Sequence, residues 1–374
     1  MKTFLFGAGA SAEAGVPLAK EMARRFYEDY RKVEPFARAV QVAIAGLKSH
    51  RSIEGDPFGE IDVEDLYETL IALRDRRQSS IAPFVGAWSD HLSTSERPTL
   101  LREAARHTRE MLERELIDSI NAATRAGRPV SIDLRSYENA LQEALTIAAG
   151  ETTEVFEDAA RFVLQTLPMY CWVRDEKHVE YLRPLMESSK KSPLWIATLN
   201  YDNTVELAAK ASDVDVDLGI HDGHPSVQFK GMAKVTLAKL HGSLNWESLP
   251  DGILRTSDIR AGNAALIFGS GNKLQVEGPY LDLLFAFRDR LTESHELHVC
   301  GYSFRDPHIN YVILRWLQQK DDRKLFIRDA YLSASQLIRN MNKGMKRGWS
   351  INTSWFSQRM SYEQLKTSEW LRNL

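Results

Sequence analysis

The sequence predicts an α/β protein with a parallel sheet and a large all-helical insertion. Three observations predict this fold. A short apolar strand at the N-terminus enters a glycine turn, a long helical stretch follows, and strands alternating with helices return after Pro193. Such alternation is typical of a parallel sheet covered by helices on both faces. We therefore expect the N-terminal strand to join a sheet whose other strands come much later in the chain.

Length and composition indicate an ordinary globular protein. The 374 residues are 43% hydrophobic and 26% charged, and the formal net charge of -3 gives no general reason to expect nucleic-acid binding. Two cysteines, Cys171 and Cys300, are too few for a disulfide framework or a four-thiolate zinc site. The sequence has no apolar stretch of the ~18 residues that a membrane span requires. A reducing, cytoplasmic location without membrane association is expected.

The first seventeen residues predict a buried strand followed by a phosphate-binding turn. Gly7 and Gly9 remove side chains where a backbone approaches a phosphate, and a helix starting near Ser11 would direct free N–H groups at the anion. Residues Gly7–Ala12 satisfy the loose dinucleotide pattern G-x-G-x-x-G/A, which a plain tight turn also fits. The second strand that a dehydrogenase has about 20 residues on is missing, because Arg24–Arg31 is a charged, helix-like run.

Helical periodicity dominates the next part of the chain. Pro17 suits the first turn of a helix that extends to about Arg31. Apolar residues then recur at three- and four-residue spacing. The further predicted helices are Val33–Lys48, Val63–Leu73, Leu100–Ala123, Tyr137–Ala148, Phe156–Gln165 and Val179–Met186. We expect these residues to serve mainly the packing of a helical subdomain.

Strand patterns return after Pro193, and several strands end in polar or glycine-rich signatures. The predicted later strands are Leu194–Leu199, Val214–Gly219, Lys234–Leu240, Ala264–Phe268 and, last, Leu297–Cys300. Counting the N-terminal strand, four strands end in the signatures Gly7-Ala8-Gly9, Asn200-Tyr-Asp202, His241-Gly-Ser243 and Gly301-Tyr-Ser303. Ligands of open parallel sheets bind outside the carboxyl ends of the strands. The four signatures are therefore expected to face one crevice.

In this order the four signatures resemble the sirtuin (silent information regulator) superfamily, whose members bind NAD in a Rossmann-like domain. Gly7-Ala-Gly-Ala-Ser11 with Pro17 is similar to the first NAD loop of that family. Thr198-Leu-Asn-Tyr-Asp202 is similar to its Thr-Gln-Asn-x-Asp motif, and His241-Gly-Ser243 to the His-Gly that carries its catalytic base. The resemblance covers about residues 1–18 and 192–312.

This resemblance implies three parts of the chain. Residues 1–18 and 192–330 would form the Rossmann-like NAD-binding domain, and residues 19–191 the helical insertion. Residues 331–374 would form a basic C-terminal segment, with seven Lys or Arg, two Glu and three interleaved tryptophans, Trp349, Trp355 and Trp370. Such a segment is compatible with nucleic-acid contact, but we favour a subunit interface because aromatic residues and Arg are enriched there.

Two features separate this chain from the protein deacylases of the family. It has no Cys-x-x-Cys pair for their zinc module, and the helical insertion follows the first loop. The segment Gly301–Asn310 is similar to the zinc-free, sirtuin-like branch of bacterial antiphage defence. The resemblance therefore implies an NAD+ glycohydrolase that depletes NAD+ in infected cells, with NAD+ as substrate and without zinc. It also implies a homo-oligomer and a HerA-type hexameric ATPase as a partner.

Two other functions stay open at this point: a non-catalytic sensor of NAD or ADP-ribose, and an NAD-dependent protein deacylase. For NAD+ cleavage the resemblance implies three catalytic residues. Asn200 would position a ribose hydroxyl or the water through its amide, and Asp202 would contact nicotinamide or the ribosyl cation. His241 would act as general base, since an imidazole titrates near pH 6.5. The structural alternatives are helix caps for Asn200 and Asp202 and a plain strand-end histidine for His241.

The residues expected to contact NAD belong to the glycine-rich and hydroxyl-bearing loops. They are Gly7, Ala8, Gly9, Ser11, Pro17, Gly242, Ser243, Gly269, Ser270, Gly301, Tyr302 and Ser303. The two last loops would line the adenosine side, although plain turn chemistry also explains such residues. Asp306 and His308 receive no role. His221-x-x-His224 has no evident third ligand, so a metal site there is not favoured.

Overall fold

The computed structural model describes residues 2–31, 33, 36–75, 155–221, 226–249, 254–256, 264–269, 278–343 and 358–372. The chain divides into two compact units. One unit comprises Met1–Ala23, Asp62–Asp65 and Val163–Leu374, and the other comprises Arg24–Ile61 and Leu66–Phe162. Both the N-terminal strand and the C-terminal segment thus belong to the first unit.

The described part of the chain includes ten strands and eleven α-helices. The strands are β1 (Lys2–Phe6), β2 (Leu194–Thr198), β3 (Val216–Asp217), β4 (Val235–Lys239), β5 (Gly242–Ser248), β6 (Leu254–Thr256), β7 (Ala264–Leu266), β8 (Glu296–Cys300), β9 (Lys324–Arg328) and β10 (Met360–Glu363). The helices are α1 (Ala8–Ser11), α2 (Ala19–Tyr30), α3 (Phe36–His50), α4 (Val63–Arg74), α5 (155–171), α6 (Arg183–Lys191), α7 (Thr204–Ala211), α8 (Pro279–Glu293), α9 (Pro307–Gln319), α10 (Ala334–Lys343) and α11 (Thr367–Leu371). A 3₁₀ helix, Glu176–Leu182, precedes α6.

A seven-stranded parallel sheet forms the centre of the first unit, in the order β10-β9-β8-β1-β2-β4-β3. The predicted α/β fold with a Rossmann-like parallel sheet is confirmed. β1 lies in the middle, paired with β8 on one side and β2 on the other. Its residues Phe4, Leu5 and Phe6 are buried, as expected for a strand covered on both faces.

The strand order places a topological switch point between β1 and β8. On one side of β1 the chain adds β2, then the edge strand β3, and then β4 between them. On the other side β8, β9 and β10 follow in chain order. Ligands of such sheets bind outside the carboxyl ends of the strands at this point. The loops that follow β1 and β8 are therefore in the position where this class of fold holds its ligands.

Two predictions about strands are wrong. Cys300 does not end the last strand, because β9 and β10 follow and extend the sheet. The segment around Ala264–Leu266 belongs instead to a separate antiparallel sheet with the order β6-β5-β7. β9 escaped prediction because its five residues carry charges at both ends, with alternating burial that suits a strand near the sheet edge.

The C-terminal segment contributes to the core of the first unit. β10 pairs with β9, and Trp370 on α11 is only 5% exposed. Its indole stacks on His298, with ring centroids 6.2 Å apart, and also contacts Phe4. Trp370 therefore packs within its own chain, whereas Trp349 and Trp355 lie outside the described residues. The role of 331–374 as an interface stays a prediction.

The second unit is helical in its described residues. Phe26, Tyr30 and Phe162 form an aromatic cluster, with ring centroids 4.7–6.0 Å apart. The helices predicted at 100–123 and 137–148 lie outside the described residues. Within the described ranges, no helix is both long enough and apolar enough to cross a membrane.

Candidate functional site at the carboxyl edge of the sheet

The structure brings the four sequence signatures to one edge of the sheet. They follow β8, β1, β2 and β4, which are neighbours in that order. β2 and β4 are paired in register up to Thr198 and Lys239, so Asn200 and His241 leave adjacent strands at the same level. Adjacent strands lie about 4.8 Å apart. The two main candidate residues therefore start from neighbouring backbone positions.

The glycines after β1 and β8 hold two loops against each other. Gly9 N donates to Gly301 O over 2.9 Å. A Cβ on Gly7 would lie 2.6 Å from Gly301 O, and a Cβ on Gly301 would lie 2.2 Å from Ala10 N. Gly301 also has a φ of +62°. Close backbone packing thus requires these glycines whether or not a phosphate binds here.

The helix of the first loop starts earlier than the sequence predicts. α1 begins at Ala8 with Gly7 as its N-cap, so Ser11 is its last residue and not its first. Ser11 is buried, and its hydroxyl lies 3.1 Å from that of Thr204. A 3₁₀ turn, Ala12–Ala14, follows with Ser11 as its N-cap, so free N–H groups directed at an anion from this point stay a prediction. Pro17 is buried two residues before α2.

Asn200 is tied to this loop by its amide nitrogen. Nδ2 donates to Gly7 O and to Ser11 Oγ, each over 2.9 Å. Both amide hydrogens are thereby used, which leaves the carbonyl oxygen Oδ1 as the group that can face a ligand. Asn200 does not cap α7, so the capping alternative for this residue is wrong.

Asp202 lies two residues before α7 and bonds to the first residue of that helix. Its Oδ1 accepts from Thr204 N over 2.9 Å and from Thr204 Oγ1 over 2.7 Å. This is the helix-start role that the sequence left open for Asp202, and any role toward a ligand stays a prediction. The buried Lys239 donates from Nζ to Asp202 O (2.5 Å) and to Glu206 Oε1 (2.7 Å). Lys239 on β4 thus ties the loop after β2 to α7.

His241 is buried and pairs with Asp306. Nε2 lies 3.0 Å from Asp306 Oδ2, and the two side chains are 9% and 5% exposed. The other carboxylate oxygen, Oδ1, accepts from His308 N and Ile309 N at the start of α9. A carboxylate fixed by a helix start thus holds the imidazole.

A cleft of about 290 Å³ opens beside this pair. Its lining consists of Leu240, His241, Ile267, Tyr280, Leu284, Asp306, His308 and Ile309. Nε2 of His308 is buried and has no hydrogen-bond partner among the described residues. Buried polar atoms are normally paired, so an orphaned nitrogen in a cleft indicates a place for a ligand atom or a water. We refer to this space as the His241 cleft.

A second cleft, of about 210 Å³, lies towards the other end of the same edge. Gly9, Glu13, Gly301, Arg328, Asp329, Tyr331 and Lys366 are among its lining residues. The two clefts have no lining residue in common, and neither lining includes Asn200. That the four strand ends face one crevice stays a prediction.

Three tyrosines around the edge remain neutral: Tyr302 is buried, and Tyr181 and Tyr201 are half-buried. Burial raises the pKa of Tyr201, Tyr302 and Tyr181, and carboxylates add to the effect: Glu64 for Tyr201, Asp306 for Tyr302 and Asp202 for Tyr181. The Tyr181 hydroxyl donates to Ala10 O, and that of Tyr201 to Ile267 O. These phenols act as hydrogen-bond donors that fix loops.

Several other expected contact residues have internal partners. Ser243 is fully buried, and its hydroxyl donates to Asn245 Oδ1. A Cβ on Gly242 would lie 2.1 Å from Ala265 O, so this glycine packs against β7. Tyr302 is buried and bonds to Asn310 and to the Asp306 backbone. Gly242, Ser243 and Tyr302 therefore have structural partners, and their contacts with NAD stay a prediction.

The remaining expected residues are more open or lie outside the description. Ala8 is exposed, Ser303 is partly exposed, and Gly269 is buried. Ser270 and His224 lie outside the described residues. His221 contacts Gln228 O. Among the described residues, no group of three or more His, Cys, Asp or Glu side chains is placed to hold a metal ion.

Sequence reasoning missed Asp306, His308 and Lys239 as parts of the site. Asp306-Pro-His308 has the Asp-Pro pattern of a helix start, which is a purely structural signal. Only the fold shows that the second carboxylate oxygen reaches His241, 65 residues away. Lys239 looks like an ordinary strand residue in the sequence.

The fold and its loop-bearing edge define a Rossmann-like domain. Residues 195–344 match the family model of the SIR2-like domain. No curated protein matches the chain. The match covers less than half of the chain and includes the loops after β2, β4 and β8, whereas β1 lies outside it. It supports the sirtuin-like resemblance and an NAD-related activity in general terms.

Proposed function

We propose that the protein is an NAD+ glycohydrolase that cleaves the bond between nicotinamide and ribose. The observation that carries the proposal is the convergence of Asn200 and His241 at the ends of the paired strands β2 and β4. Both residues lie within the part of the chain that matches the SIR2-like domain. An anchored amide and a buried imidazole are the groups that this reaction needs for positioning and for proton transfer.

In this mechanism Asn200 orients and His241 accepts a proton. With Nδ2 held by Gly7 and Ser11, the Asn200 carbonyl oxygen accepts a hydrogen bond from a ribose hydroxyl or from the attacking water. The bond between the nicotinamide nitrogen and C1′ of the ribose in NAD+ breaks, its electron pair stays on the nitrogen, and the water oxygen bonds to C1′. The water proton passes to His241 and then to solvent. The products are nicotinamide and ADP-ribose.

The two clefts support a placement of the substrate along this edge. The nicotinamide end would lie towards the His241 cleft, where His308 Nε2 offers a polar atom to it. The adenosine end would lie towards the second cleft, which Gly9 and Gly301 line together with two cations, Arg328 and Lys366, and two carboxylates, Glu13 and Asp329.

The biological role that we propose is NAD+ depletion in antiphage defence, in the cytoplasm. Its support is the sequence resemblance of Gly301–Asn310. From the same resemblance we propose a homo-oligomer and a HerA-type ATPase partner. Light scattering of the purified protein, alone and with the product of a neighbouring ATPase gene, tests the assembly.

The activity is tested by incubating the protein with NAD+, with and without such a partner, and measuring free nicotinamide and ADP-ribose. We expect both products in equal amounts. His241→Ala should lower their rate of formation by about 10²–10⁴-fold. His295→Ala is the matched control, because His295 also pairs with an aspartate, Asp322, but at the surface. Binding without turnover would favour the sensor, and turnover only with an acyl-peptide would favour the deacylase.

A further inference from the structure

The strongest unassigned feature is the carboxylate of Asp306, which makes two kinds of contact at once. Oδ1 accepts from two backbone N–H groups, His308 N at 2.9 Å and Ile309 N at 3.2 Å. Oδ2 lies 3.0 Å from His241 Nε2. The start of α9, a helix of thirteen residues, thus fixes the carboxylate of Asp306. The carboxylate in turn fixes the imidazole of His241.

The surroundings of Asp306 hold it in this position. Tyr302 brackets it, because the phenol donates to Asp306 O and accepts from Asp306 N. The preceding residue, Arg305, is also anchored, because its Nη1 donates to Asp62 Oδ2 over 2.5 Å. Asp306 is 5% exposed. A carboxylate held at this depth keeps little freedom to turn away from His241.

We propose that Asp306 is a positioning residue that sets the tautomer of His241, so that Nε2 carries the proton and Nδ1 is the basic nitrogen. An ionised carboxylate only accepts hydrogen bonds, so the nitrogen facing it must be protonated. The same carboxylate stabilises the imidazolium that forms when Nδ1 takes up a proton. The catalytic consequence rests on the proposed function, whereas the tautomer itself does not.

The variant Asp306→Asn separates this role from helix capping. Asparagine caps helices about as well as aspartate, so the start of α9 should remain intact. Its amide nitrogen would instead donate to His241 Nε2, which favours the tautomer with the proton on Nδ1. We expect kcat for NAD+ to fall about 10²–10⁴-fold at nearly constant KM and thermal stability. Combined with His241→Ala, the change should cause no further loss.

Two controls match the substitution. Asp175→Asn makes the same change at the start of the 3₁₀ helix Glu176–Leu182, where the Asp175 carboxylate accepts from Lys177 N. Asp322→Asn makes it in the exposed pair with His295. Both variants should keep wild-type kcat.

A measurement that needs no turnover completes the test. Nitrogen-15 NMR of histidine-labelled protein, with His241→Gln to assign the signal, reports which nitrogen of His241 carries the proton. We expect Nε2–H in the wild type and Nδ1–H in Asp306→Asn. An unchanged tautomer, or a folded Asp306→Asn protein with wild-type kcat, would overturn the proposal. A tautomer change in a protein that never cleaves NAD+ would uphold the positioning role and refute the proposed function.

Discussion

Two pairs of loops at the same sheet edge are built in different ways. The glycine loops, Gly7–Ser11 and Gly301–Asp306, meet backbone to backbone, with Gly9 N bonded to Gly301 O. The polar loops, Asn200–Asn203 and Leu240–Gly242, present side chains that are anchored on neighbouring elements. The first pair is defined by absent side chains and the second by the hydrogen bonds of the side chains present.

The glycine loops and the polar loops therefore serve different purposes. The glycine loops supply the anchors that hold the polar groups: Gly7 O holds Asn200, and Asp306 holds His241. The glycines therefore form the scaffold, and the polar loops carry the proposed chemistry. Substitutions of the packed glycines should lower stability, and substitutions of Asn200, His241 or Asp306 should lower activity.

The largest effect is expected for Gly301→Ala. Its φ of +62° disfavours a Cβ, and that Cβ would lie 2.2 Å from Ala10 N. Left-handed strain and overpacking together should lower the free energy of unfolding by about 2–5 kcal/mol. Urea unfolding measures the loss. Gly231→Ala is the control, because Gly231 has a φ of +66° with nothing within 4 Å of its Cβ position. It should cost about 1–2 kcal/mol, and equal losses in the two variants would show that the loops do not press on each other.

The second prediction compares two neighbouring asparagines. Asn200→Ala should lower kcat/KM for NAD+ about 10²-fold, with a loss of stability of about 1 kcal/mol. Asn203 instead uses its amide to bond Val173 N and Val173 O, and it is 7% exposed. Asn203→Ala should therefore lower stability by about 1–3 kcal/mol and leave activity within a few-fold. If both variants lost stability alone, the polar loops would be as structural as the glycine loops.

Much of the fold was open to prediction because it follows from local patterns. The buried run Phe4–Phe6 and the strand Leu194–Thr198 are continuous apolar stretches bounded by turn residues. β9 and β10 lack such a run. β9 is placed by its pairing with β8, and β10 by its pairing with β9. The local sequence pattern does not encode these long-range pairings.

The site was predictable in location but less so in detail. Strand ends mark the edge, and the signatures at Asn200 and His241 follow from this rule. The contacts that define them do not, because Gly7 and Asn200 are 193 residues apart. The phosphate interpretation of Gly7 and Gly9 had a competing cause, namely the packing of the glycine loops, which only the structure reveals.

The third prediction concerns His298, on the strand that leads into the second glycine loop. Burial lowers the pKa of His298. The neutral ring is also well suited to its place, since Nε2 lies 3.0 Å from Glu296 Oε2 and Nδ1 lies 3.1 Å from Arg328 NH1, which can only donate. The unfolded chain therefore binds the proton more readily, and stability should fall as pH drops below about 6.5. Each pKa unit of lowering corresponds to about 1.4 kcal/mol.

Urea unfolding at pH 7.5 and pH 5.5 tests this, with His298→Phe as the comparison. Phenylalanine keeps the stacking on Phe4 and Phe326 but cannot take up a proton. The variant should lose less stability on acidification than the wild type. The same acid dependence in both proteins would assign the effect to other groups.

The smallest change in stability is expected for the substitution His308→Leu. His308 lies on α9, just after the second glycine loop. Its Nε2 is buried and without a partner among the described residues, so removing it relieves an unsatisfied polar atom. The free energy of unfolding should stay constant or rise slightly. If the substrate pairs with this nitrogen in the His241 cleft, KM for NAD+ should rise roughly tenfold at similar kcat. An unchanged KM would mean that His308 Nε2 does not bind the substrate. The polar loops would then supply the side chains that bind the substrate at the His241 cleft.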